Sequence, residues 1–387
     1  MDDNRELRIA WLVPHVELGA YWQPVLKEFI QVFKKTIFYT GRVWPGFDPH
    51  APGANVIQLV GEMKSIEVSK MATGCNRRIM ILSPAIIGRL LAFKPQIVFA
   101  QAYSLWTLFA VLLKPLGKWR LIIIYDGSSP NSDFKDSKIR SLLRRWMSRY
   151  ADAFIANSFG AKDYLIDGLG ANPEKVFTRT YLVPDAATLQ QNLATVEKVE
   201  LKQKHPIFLY VGRIIYRKGL KPLLEACSIL QSQGYRDYTL MLIGIGEQRE
   251  ELEAFIKNHN LEERVVWAGW VDYGCLGSYF QQSDVFVFPT LEDIWGMVVL
   301  EAMIFSKPIL CSKWAGAAEV VLEGYNGYVF DPYHPEELAI AMRQFLDRPE
   351  LIDSMGKQSL QLVKEKNPLS AAQSFVEVID SVLNQDR

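Results

Sequence analysis

Cysteine and histidine are scarce in this sequence of 387 residues. The four cysteines, Cys75, Cys227, Cys275 and Cys311, lie far apart, without a CxxC pair or a histidine cluster beside them. This spacing supports neither a zinc site nor a disulfide framework, and a reducing, cytoplasmic compartment fits it best. No DxD motif with flanking ligands stands out either. We therefore expect no bound metal ion.

Long apolar runs are also missing. The most apolar stretch, residues 105–113, is followed by Lys114 and Pro115, and it is well short of the roughly 20 residues that cross a bilayer. The N-terminus is acidic where a secretory signal would be basic, and its apolar stretch breaks at Pro14 and His15. We expect neither a membrane-spanning helix nor an export signal.

Net charge is absent as well, because 43 Lys and Arg balance 43 Asp and Glu. The balance hides an asymmetry, since residues 1–185 hold 24 Lys and Arg against 16 Asp and Glu. The front half therefore favours an anionic partner. A composition that is 49% hydrophobic and 22% charged predicts globular domains and excludes extensive disorder.

Short apolar segments alternate with amphipathic ones, which predicts parallel sheets covered by helices. In the front half we predict a helix at 22–34 and strands at 7–14, 35–40, 96–101, 121–125 and 153–157. In the back half we predict strands at 207–211, 239–243, 264–268, 285–288, 308–311 and 327–330. The helices predicted there are 220–233, 247–258, 275–282, 296–305, 316–322, 335–347, 349–365 and 369–383.

A change to short polar and apolar residues separates the two alternating regions, and we place an interdomain linker at residues 186–204. The fold class is therefore α/β with two Rossmann-like domains. The N-terminal domain is predicted at 1–185 and the C-terminal domain at 205–366. Residues 367–387 are predicted to form a helix that packs back on the N-terminal domain.

Two glycine-containing turns follow predicted strands of the second domain. VGRIIYRKG places Gly212 at a strand end, followed by Arg213 and Lys218, and this combination suits a diphosphate because backbone N–H groups and cations bind its oxygens. LIGIGEQREEL places Gly244 and Gly246 at the same sheet edge, where ligands of open parallel sheets bind. Each motif alone is equally compatible with a tight turn and solvated cations.

The segment FPTLEDIWGMVVLEAM carries carboxylates beside and inside a predicted buried helix. Glu292, Asp293 and Gly296 lie in the loop after the strand at 285–288, whereas Glu301 lies among apolar helical residues. A buried carboxylate needs hydroxyl or cationic partners. Hydroxyls of a sugar or a ribose would supply them, and a salt bridge inside the core is the alternative for Glu301.

Together these motifs resemble those of the retaining glycosyltransferases of family 4, whose GT-B fold has two Rossmann-like domains with a donor cleft between them. The resemblance covers most of the chain and is strongest over residues 207–332. The residues that match the family's VGR, KG, GxG, P-[ST], E-x7-E and NG elements are Gly212, Arg213, Lys218, Gly219, Gly244, Gly246, Pro289, Thr290, Glu301, Asn326 and Gly327. The combination is far more specific than any one element.

The resemblance implies roles in binding a nucleotide diphosphate sugar. Arg213 and Lys218 hold the donor diphosphate, Glu301 binds the ribose hydroxyls, and Asp293 binds hydroxyls of the donor sugar. The remaining residues implied along the sugar, the phosphates and the base are Ile294, Gly296, Met297, Val298, Gly269 and Trp270. The family's E-x7-E is D-x7-E here, and Glu292 is the alternative to Asp293.

The front domain matches the family less well. Residues 17–20, which include Gly19, follow the first strand where the family has a glycine-containing loop near donor and acceptor. Relatives often carry a histidine after the strand that reads LIIIYDGSSP, and Tyr125 and Asp126 occupy that region here. Asp126 can orient an acceptor hydroxyl, and an Asp-Gly turn is the alternative.

The expected activity is retaining, metal-independent hexosyl transfer, without a cofactor, to a hydroxyl acceptor in glycan, polysaccharide or glycolipid synthesis. In the front-face mechanism that the resemblance implies, the leaving phosphate oxygen takes the acceptor proton, and the protein contributes positioning and charge stabilisation. The alternatives are a non-catalytic sugar-nucleotide-binding partner subunit and a GT-B-like nucleotide-sugar epimerase. The donor base, the sugar and the glycan or lipid-linked acceptor stay open.

One predicted front-domain helix, in SKIRSLLRRWMSRYADAFIA, is strongly basic. Its apolar residues can share one side: Ile139, Leu142, Leu143, Trp146, Met147 and Tyr150. Such a helix can lie on an anionic membrane surface, which would make the protein peripheral on the inner face of a membrane. An ordinary packed helix with solvated arginines is the alternative. Nucleic acid is not expected, because no binding motif accompanies the charge.

Overall fold

The computed structural model describes residues 6–14, 19–44, 47–69, 77–129, 133, 137–191 and 204–384. The chain divides into two compact units, one that extends to residue 183 and includes residues 366–384, and one that comprises residues 184–365. Glu17 and Leu18 of the predicted glycine-containing loop, most of the predicted linker and Cys75 lie outside the described residues.

The first unit contains a seven-stranded sheet in which all neighbouring strands pair in parallel. Its strands are β1 (Ile9–Leu12), β2 (Thr36–Thr40), β3 (Ile57–Leu59), β6 (Ile97–Gln101), β7 (Arg120–Tyr125), β8 (Ala153–Ala156) and β9 (Val176–Thr178). An antiparallel pair, β4 (Lys64–Ser69) and β5 (Arg77–Ile81), comes between β3 and β6 in the sequence. The spatial order β3-β2-β1-β6-β7-β8-β9 reverses between β1 and β6.

The helices between these strands are α1 (Gly19–Val32), α2 (Ile86–Phe93), α3 (Leu105–Gly117), α4 (Lys138–Arg149) and α5 (Phe159–Asp163). Local sequence signals explain where α3 begins. The Ser104 side chain accepts from the backbone N–H of Thr107, and Thr107 returns a bond to Ser104, which makes a capping box. None of the helices within the described part of the chain is both long and apolar enough to cross a membrane.

The second unit contains a six-stranded parallel sheet with the order β12-β11-β10-β13-β14-β15. Its strands are β10 (Ile207–Val211), β11 (Thr239–Ile243), β12 (Val265–Gly269), β13 (Val285–Phe288), β14 (Ile309–Ser312) and β15 (Gly327–Phe330). Its helices are α6 (Ala186–Gln191), α7 (Leu220–Ser232), α8 (Arg249–Asn258), α9 (Leu276–Gln282), α10 (Met297–Ile304), α11 (Pro335–Asp347) and α12 (Glu350–Val363). The central strands β10, β11, β13 and β14 are almost entirely buried, as expected for a parallel sheet covered on both faces, whereas the edge strands β12 and β15 are partly exposed.

The terminal helix, α13 (Pro368–Asn384), belongs to the first unit and packs against α1. Its Phe375 lies in an aromatic cluster around Trp11 of β1, with ring centroids 4.8 Å apart. Trp11 also stacks on Phe99 at 4.2 Å and meets Phe29 edge-on at 5.2 Å. Edge-on and offset-stacked contacts of this kind stabilise a core beyond simple burial, so the end of the chain is fixed to the first sheet.

The predicted α/β class with two Rossmann-like units is confirmed. Helix α6 occupies the first residues of the linker predicted at 186–204, and Asp185 caps this helix, since it accepts from the Ala187 N–H at 3.1 Å and from the Thr188 hydroxyl at 2.8 Å. The linker itself stays a prediction. The pattern missed the short strands β3 and β9 and the β4–β5 pair. The segment predicted as a helix at 316–322 is a 3₁₀ turn, Gly316–Val320.

Candidate functional site

The order of the second sheet reverses at β10, which pairs with β11 on one side and with β13 on the other. In open parallel sheets, such a reversal leaves a crevice at the carboxyl ends of the strands, where ligands bind. The loop after β10 carries Arg213 and Lys218, and the loop after β13 carries Asp293. The fold therefore brings the principal charged residues of the predicted site to one crevice.

Close backbone contacts explain the glycines of these loops. Gly244 has a positive φ of 139°, and a Cβ there would lie 1.8 Å from the carbonyl oxygen of Gly212. Gly219, with φ 69°, would place a Cβ 1.9 Å from the carbonyl oxygen of Pro289. Gly246 is similarly tight, 2.1 Å from the carbonyl oxygen of Ile214. These contacts hold the loops after β10, β11 and β13 together, and the predicted approach to phosphate stays a prediction.

Lys218 and Asp293 form a largely buried ion pair between the loops after β10 and β13, with Nζ 2.5 Å from Oδ2. Both side chains are 14% exposed, so the pair is largely withdrawn from solvent. The Lys218 ammonium also lies over the ring of Phe288, 5.2 Å from its centroid, in a cation–π contact. Lys218, which is predicted to bind the diphosphate, and Asp293, which is predicted to bind the sugar, thus bind each other in this structure.

Asp293 is ionised by its surroundings despite its burial. Burial opposes the charge, but Lys218 and Arg217 and a hydrogen bond from the Trp295 backbone N–H outweigh it, and together they lower the pKa of Asp293 below its ordinary value. The Trp295 N–H donates to Oδ1 at 3.2 Å, and the Arg217 guanidinium lies 3.8 Å from Oδ2. A carboxylate with three such partners remains charged well into acidic solution.

Two arginines of the same loop have different environments. Arg217 is tied to the protein, because its guanidinium donates to the Glu292 carbonyl oxygen at 2.6 Å. Arg213 is exposed, and among the described residues its guanidinium makes no hydrogen bond or ion pair. Its cation is therefore available to an anionic ligand at the carboxyl end of β10.

Glu301 is buried on α10 and meets a tyrosine. The hydroxyl of Tyr273 lies 3.1 Å from Oε1 of Glu301 and donates to it. Tyr273 begins a short 3₁₀ turn, which Asp272 caps by accepting from the Gly274 N–H at 2.9 Å. One partner of the buried Glu301 carboxylate is therefore a hydroxyl, and both the predicted role at a ribose and the alternative of a salt bridge in the core stay predictions.

The predicted sugar- and phosphate-binding segment is held against the turn that follows β14. The Asp293 N–H donates to the Trp314 carbonyl oxygen at 3.1 Å, and the Ala317 N–H donates to the Trp295 carbonyl oxygen at 2.7 Å. The segment passes from the loop into the helix. Ile294 lies in the loop, Gly296 is the N-cap of α10, and Met297 and Val298 lie in the first turn of α10. The loop is therefore a fixed part of the crevice.

The predicted base-flanking residues lie two strands away from β10. Gly269 ends β12 with φ 73°, and its carbonyl oxygen accepts from the Gly244 N–H at 2.7 Å. Trp270 follows it and is largely exposed. These residues share the carboxyl edge of the sheet with Arg213 and Lys218.

Two predicted residues belong to the first unit. Gly19 is the first residue of α1. Asp126 follows β7 and accepts hydrogen bonds from the Gln101 amide and from the Tyr181 hydroxyl, each at 2.7 Å. Side-chain bonding of this kind goes beyond a simple Asp-Gly turn, while the role of Asp126 at an acceptor stays a prediction.

Comparison with known proteins identifies the family. Residues 193–361 match the model of the glycosyl transferases group 1, and residues 50–178 match that of Glycosyltransferase Family 4. The chain belongs to the family 4 glycosyltransferases. The two matches fall one in each half of the chain, as the sequence motifs imply.

Individual relatives of this family 4 chain are distant. It is 28% identical over 257 residues to the alpha-D-kanosaminyltransferase of Streptomyces kanamyceticus, covering 64% of this chain and 65% of that protein. It is 26% identical to the 2-deoxystreptamine glucosyltransferase of the same organism, covering 54% of each chain. The matches thus span between about half and two thirds of the length of these curated relatives.

Solved structures share the GT-B fold over nearly the whole chain. HepE of Anabaena, solved in complex with UDP, has a TM-score of 0.75 at 16% identity and covers 97% of this chain and 100% of its own. The lipopolysaccharide outer core galactosyltransferase WaaB has a TM-score of 0.71 at 17% identity, with 97% and 99% covered. At these identities the likeness establishes the fold of this family member.

Arg217 and Tyr273 are site residues that the sequence analysis missed. Arg217 stands next to Lys218 in YRKG, and the doubled cation was a usable signal. Tyr273 had none, because its contact with Glu301 joins residues 28 positions apart on different elements. Within the described residues no cluster of His, Cys, Asp and Glu is arranged to hold a metal ion.

Proposed function

We propose that this chain transfers a sugar from a nucleotide diphosphate sugar to an acceptor hydroxyl with retention of anomeric configuration. The observation that carries the proposal is the Lys218–Asp293 pair at the crevice beside β10. A cation and a carboxylate there match the two features that the donor presents, an anionic diphosphate and a neutral sugar whose hydroxyls donate hydrogen bonds. Arg213, with its unengaged cation, supplies a second positive charge after β10, and the buried Glu301, with its hydroxyl partner, supplies a second carboxylate.

The proposed reaction exchanges one bond to the anomeric carbon for another on the same face. The bond from the anomeric carbon to the phosphate oxygen breaks, and the acceptor oxygen bonds to that carbon. The acceptor proton passes to the departing phosphate oxygen. Lys218 and Arg213 stabilise the charge that grows on the diphosphate, a contribution typically worth about 3 to 4 kcal/mol for one well-placed donor.

Donor binding requires the ion pair to open. The diphosphate replaces Asp293 as the partner of Lys218, and the released carboxylate accepts hydrogen bonds from hydroxyls of the donor sugar. Arg217, 3.8 Å from Asp293, keeps the carboxylate ionised through this exchange. Lys218 and Arg213 take the place of a divalent cation, so the proposed transfer needs neither a metal ion nor a cofactor.

UDP-glucose is the first donor to test, because HepE of Anabaena was solved in complex with UDP and with UDP-glucose. The proposed product belongs to glycan, polysaccharide or glycolipid synthesis, and the transferred sugar is a hexose. The kanosaminyl- and glucosyltransferase names of two relatives agree with hexosyl transfer.

Membrane docking of the first unit is a second part of the proposal. Helix α4 carries Lys138 and Arg140, and its side chains Ile139 and Leu142 are 81% and 70% exposed. Exposed apolar residues beside cations favour an anionic lipid surface, and would place the protein on the inner face of a membrane. Arg144 and Arg145 bond instead within the unit, to the Tyr164 hydroxyl and to the Gly168 carbonyl oxygen.

The decisive experiment measures donor cleavage by the purified chain in excess EDTA. UDP release from UDP-glucose and from a panel of other nucleotide sugars is followed, and the anomer of the released sugar is read by NMR before it equilibrates. The α-anomer from an α-linked donor is expected. The β-anomer would refute retention, and loss of activity in EDTA would refute metal independence.

The non-catalytic alternative has its own outcome. A sugar-nucleotide-binding subunit would be stabilised by about 2.7 kcal/mol with a nucleotide at 100 times its dissociation constant, yet it would cleave no donor. Arg213→Ala and Glu301→Gln should reduce both stabilisation and cleavage, whereas the control Arg236→Ala, an exposed cation of the same unit, should change neither.

A further inference from the structure

Three exposed aromatic side chains lie along the carboxyl edge of the second sheet. Tyr216 follows β10, Trp314 follows β14 and Tyr333 follows β15. The rings of Trp314 and Tyr333 meet edge-on, with centroids 6.3 Å apart. Large exposed aromatic side chains that cluster in this way mark a binding surface more often than isolated ones do. We call these three residues the aromatic platform.

Asp331 fixes the platform in place. Its Oδ1 accepts from the indole N–H of Trp314 at 3.2 Å and from the backbone N–H of Tyr333 at 3.1 Å. Its Oδ2 pairs with Lys313 at 2.7 Å. The Trp314 indole is therefore held in a set orientation, with the Lys313 ammonium 5.4 Å from the centroid of its ring, and a side chain fixed in advance loses less entropy when a ligand binds.

Carboxylate oxygens border the platform. The pKa of the Tyr333 hydroxyl is raised by burial first and then by the proximity of Tyr216, Asp331 and Glu292. Glu292 follows β13, the neighbour of β14 in the sheet, so it lies at the same sheet edge as the platform, whereas Asp293 pairs with Lys218.

The main chain of the platform is bonded to the loop that carries Asp293. The Trp314 carbonyl oxygen accepts from the Asp293 N–H at 3.1 Å, so one hydrogen bond separates the platform from the proposed donor site.

We propose that the aromatic platform binds the sugar rings of an oligosaccharide acceptor. A pyranose ring has one face of C–H groups, which packs on an aromatic ring, and a rim of hydroxyls, which donate to carboxylates such as Glu292. Aromatic rings that lie beside carboxylates therefore match both the C–H face and the hydroxyl rim of a sugar ring. This inference rests on the proposed glycosyl transfer and specifies its acceptor as a chain of several sugars.

The test titrates the full-length chain with maltopentaose, cellopentaose and a mannopentaose, each to 20 mM, and follows binding by saturation-transfer NMR. At least one should bind. Tyr333→Ala and Trp314→Ala should each weaken that binding at least tenfold, and Glu292→Gln at least threefold. UDP affinity, measured separately by calorimetry, should change less than twofold in Tyr333→Ala.

Tyr325→Ala is the matched control. Tyr325 is 42% exposed against 59% for Tyr333, and it precedes β15 whereas Tyr333 follows it, so the two lie at opposite ends of one strand. Its loss should leave oligosaccharide binding unchanged.

Three results would overturn the inference. They are the absence of binding by all three oligosaccharides, equal binding by wild type and the platform variants, and a dimer that Tyr333→Ala dissociates, which would make the surface a contact between copies. The proposed function fails on a different result, namely the absence of nucleotide binding and donor cleavage. The two failures are distinguishable because the oligosaccharide titration contains no nucleotide.

Discussion

Replacing Lys218 by methionine tests whether the ion pair with Asp293 organises the site. The substitution keeps the length of the side chain and removes the charge, which leaves Asp293 ionised and buried without its nearest partner. Breaking one side of a buried pair destabilises a protein by about 3 to 5 kcal/mol. Arg217 at 3.8 Å and the Trp295 N–H at 3.2 Å remain, so we expect the lower end, about 3 kcal/mol.

A double-mutant cycle separates this pair from the rest of the core. Asp293→Asn removes the stranded charge, so the double variant Lys218→Met/Asp293→Asn should be more stable than the sum of the single changes predicts, by about 2 kcal/mol. Urea unfolding followed by circular dichroism provides the free energies. The control is Lys357→Met, whose partner Asp353 is exposed on the same helix and which should lose less than about 0.5 kcal/mol.

The pH dependence of the same variants gives an independent check. The pKa of Asp293 is lowered in the folded protein, so the residue adds stability above its unfolded pKa, about 3.9, and that stability is lost as the pH falls through the lower, folded pKa. Asp293→Asn should therefore flatten the acid side of the stability profile below about pH 5.

Additive effects in the cycle, with a Lys218→Met loss no larger than that of Lys357→Met, would refute the reasoning. So would an unchanged acid profile in Asp293→Asn. In Lys218→Met the activation free energy of donor cleavage should rise by about 2 to 4 kcal/mol, which corresponds to a rate loss between roughly thirtyfold and a thousandfold. A variant that is stable and fully active would remove Lys218 from the site.

Three further predictions concern other residues. Tyr273→Phe removes the hydroxyl bonded to Glu301 and should reduce the preference for UDP over 2′-deoxy-UDP or 3′-deoxy-UDP at least threefold in calorimetry. Asp293→Asn should impair turnover of UDP-glucose more than Glu292→Gln does, because Asp293 faces the crevice; initial rates of UDP release give the order. Replacing Ile139 and Leu142 by serine should release the protein from anionic vesicles in a low-salt sedimentation assay, since both apolar side chains are exposed.

Each of these has a contradicting outcome. An unchanged ribose preference in Tyr273→Phe would make that tyrosine structural. A larger turnover loss in Glu292→Gln would move the sugar-binding role to Glu292. Wild-type protein that ignores anionic vesicles even at low salt would end the membrane proposal, and Ile340→Ser, an exposed apolar position on α11, controls for the general effect of adding a hydroxyl.

The second unit could be predicted from sequence because its signals are local. Strands such as β10 and β11 are short apolar runs that end at glycines, and backbone contacts require glycine at Gly219 and Gly244. The parallel sheet then brings the strand ends to one edge. Arg213, Lys218 and Asp293 follow from that placement without any knowledge of side-chain geometry.

What could not be predicted depends on contacts between distant residues or on short elements. The Lys218–Asp293 bond joins positions 75 apart, and the sequence assigned the two residues to different parts of a ligand. Strands of three residues, such as β3 and β9, are too short to show a period of two. The Asp185 cap of α6 is a recognisable signal, which the surrounding change in composition masked.

The ion pair has a consequence for donor affinity that runs against a simple view of the site. A cation already neutralised by Asp293 must lose that partner before it binds a diphosphate, so the carboxylate competes with the nucleotide. Asp293→Asn should therefore bind UDP at least threefold more tightly. Its cleavage of UDP-glucose should slow, because the sugar hydroxyls have lost the carboxylate that accepts their hydrogen bonds. Calorimetry and initial rates on the same sample measure both effects. Weaker UDP binding by Asp293→Asn would mean that the carboxylate positions Lys218 for the diphosphate and does not compete with it.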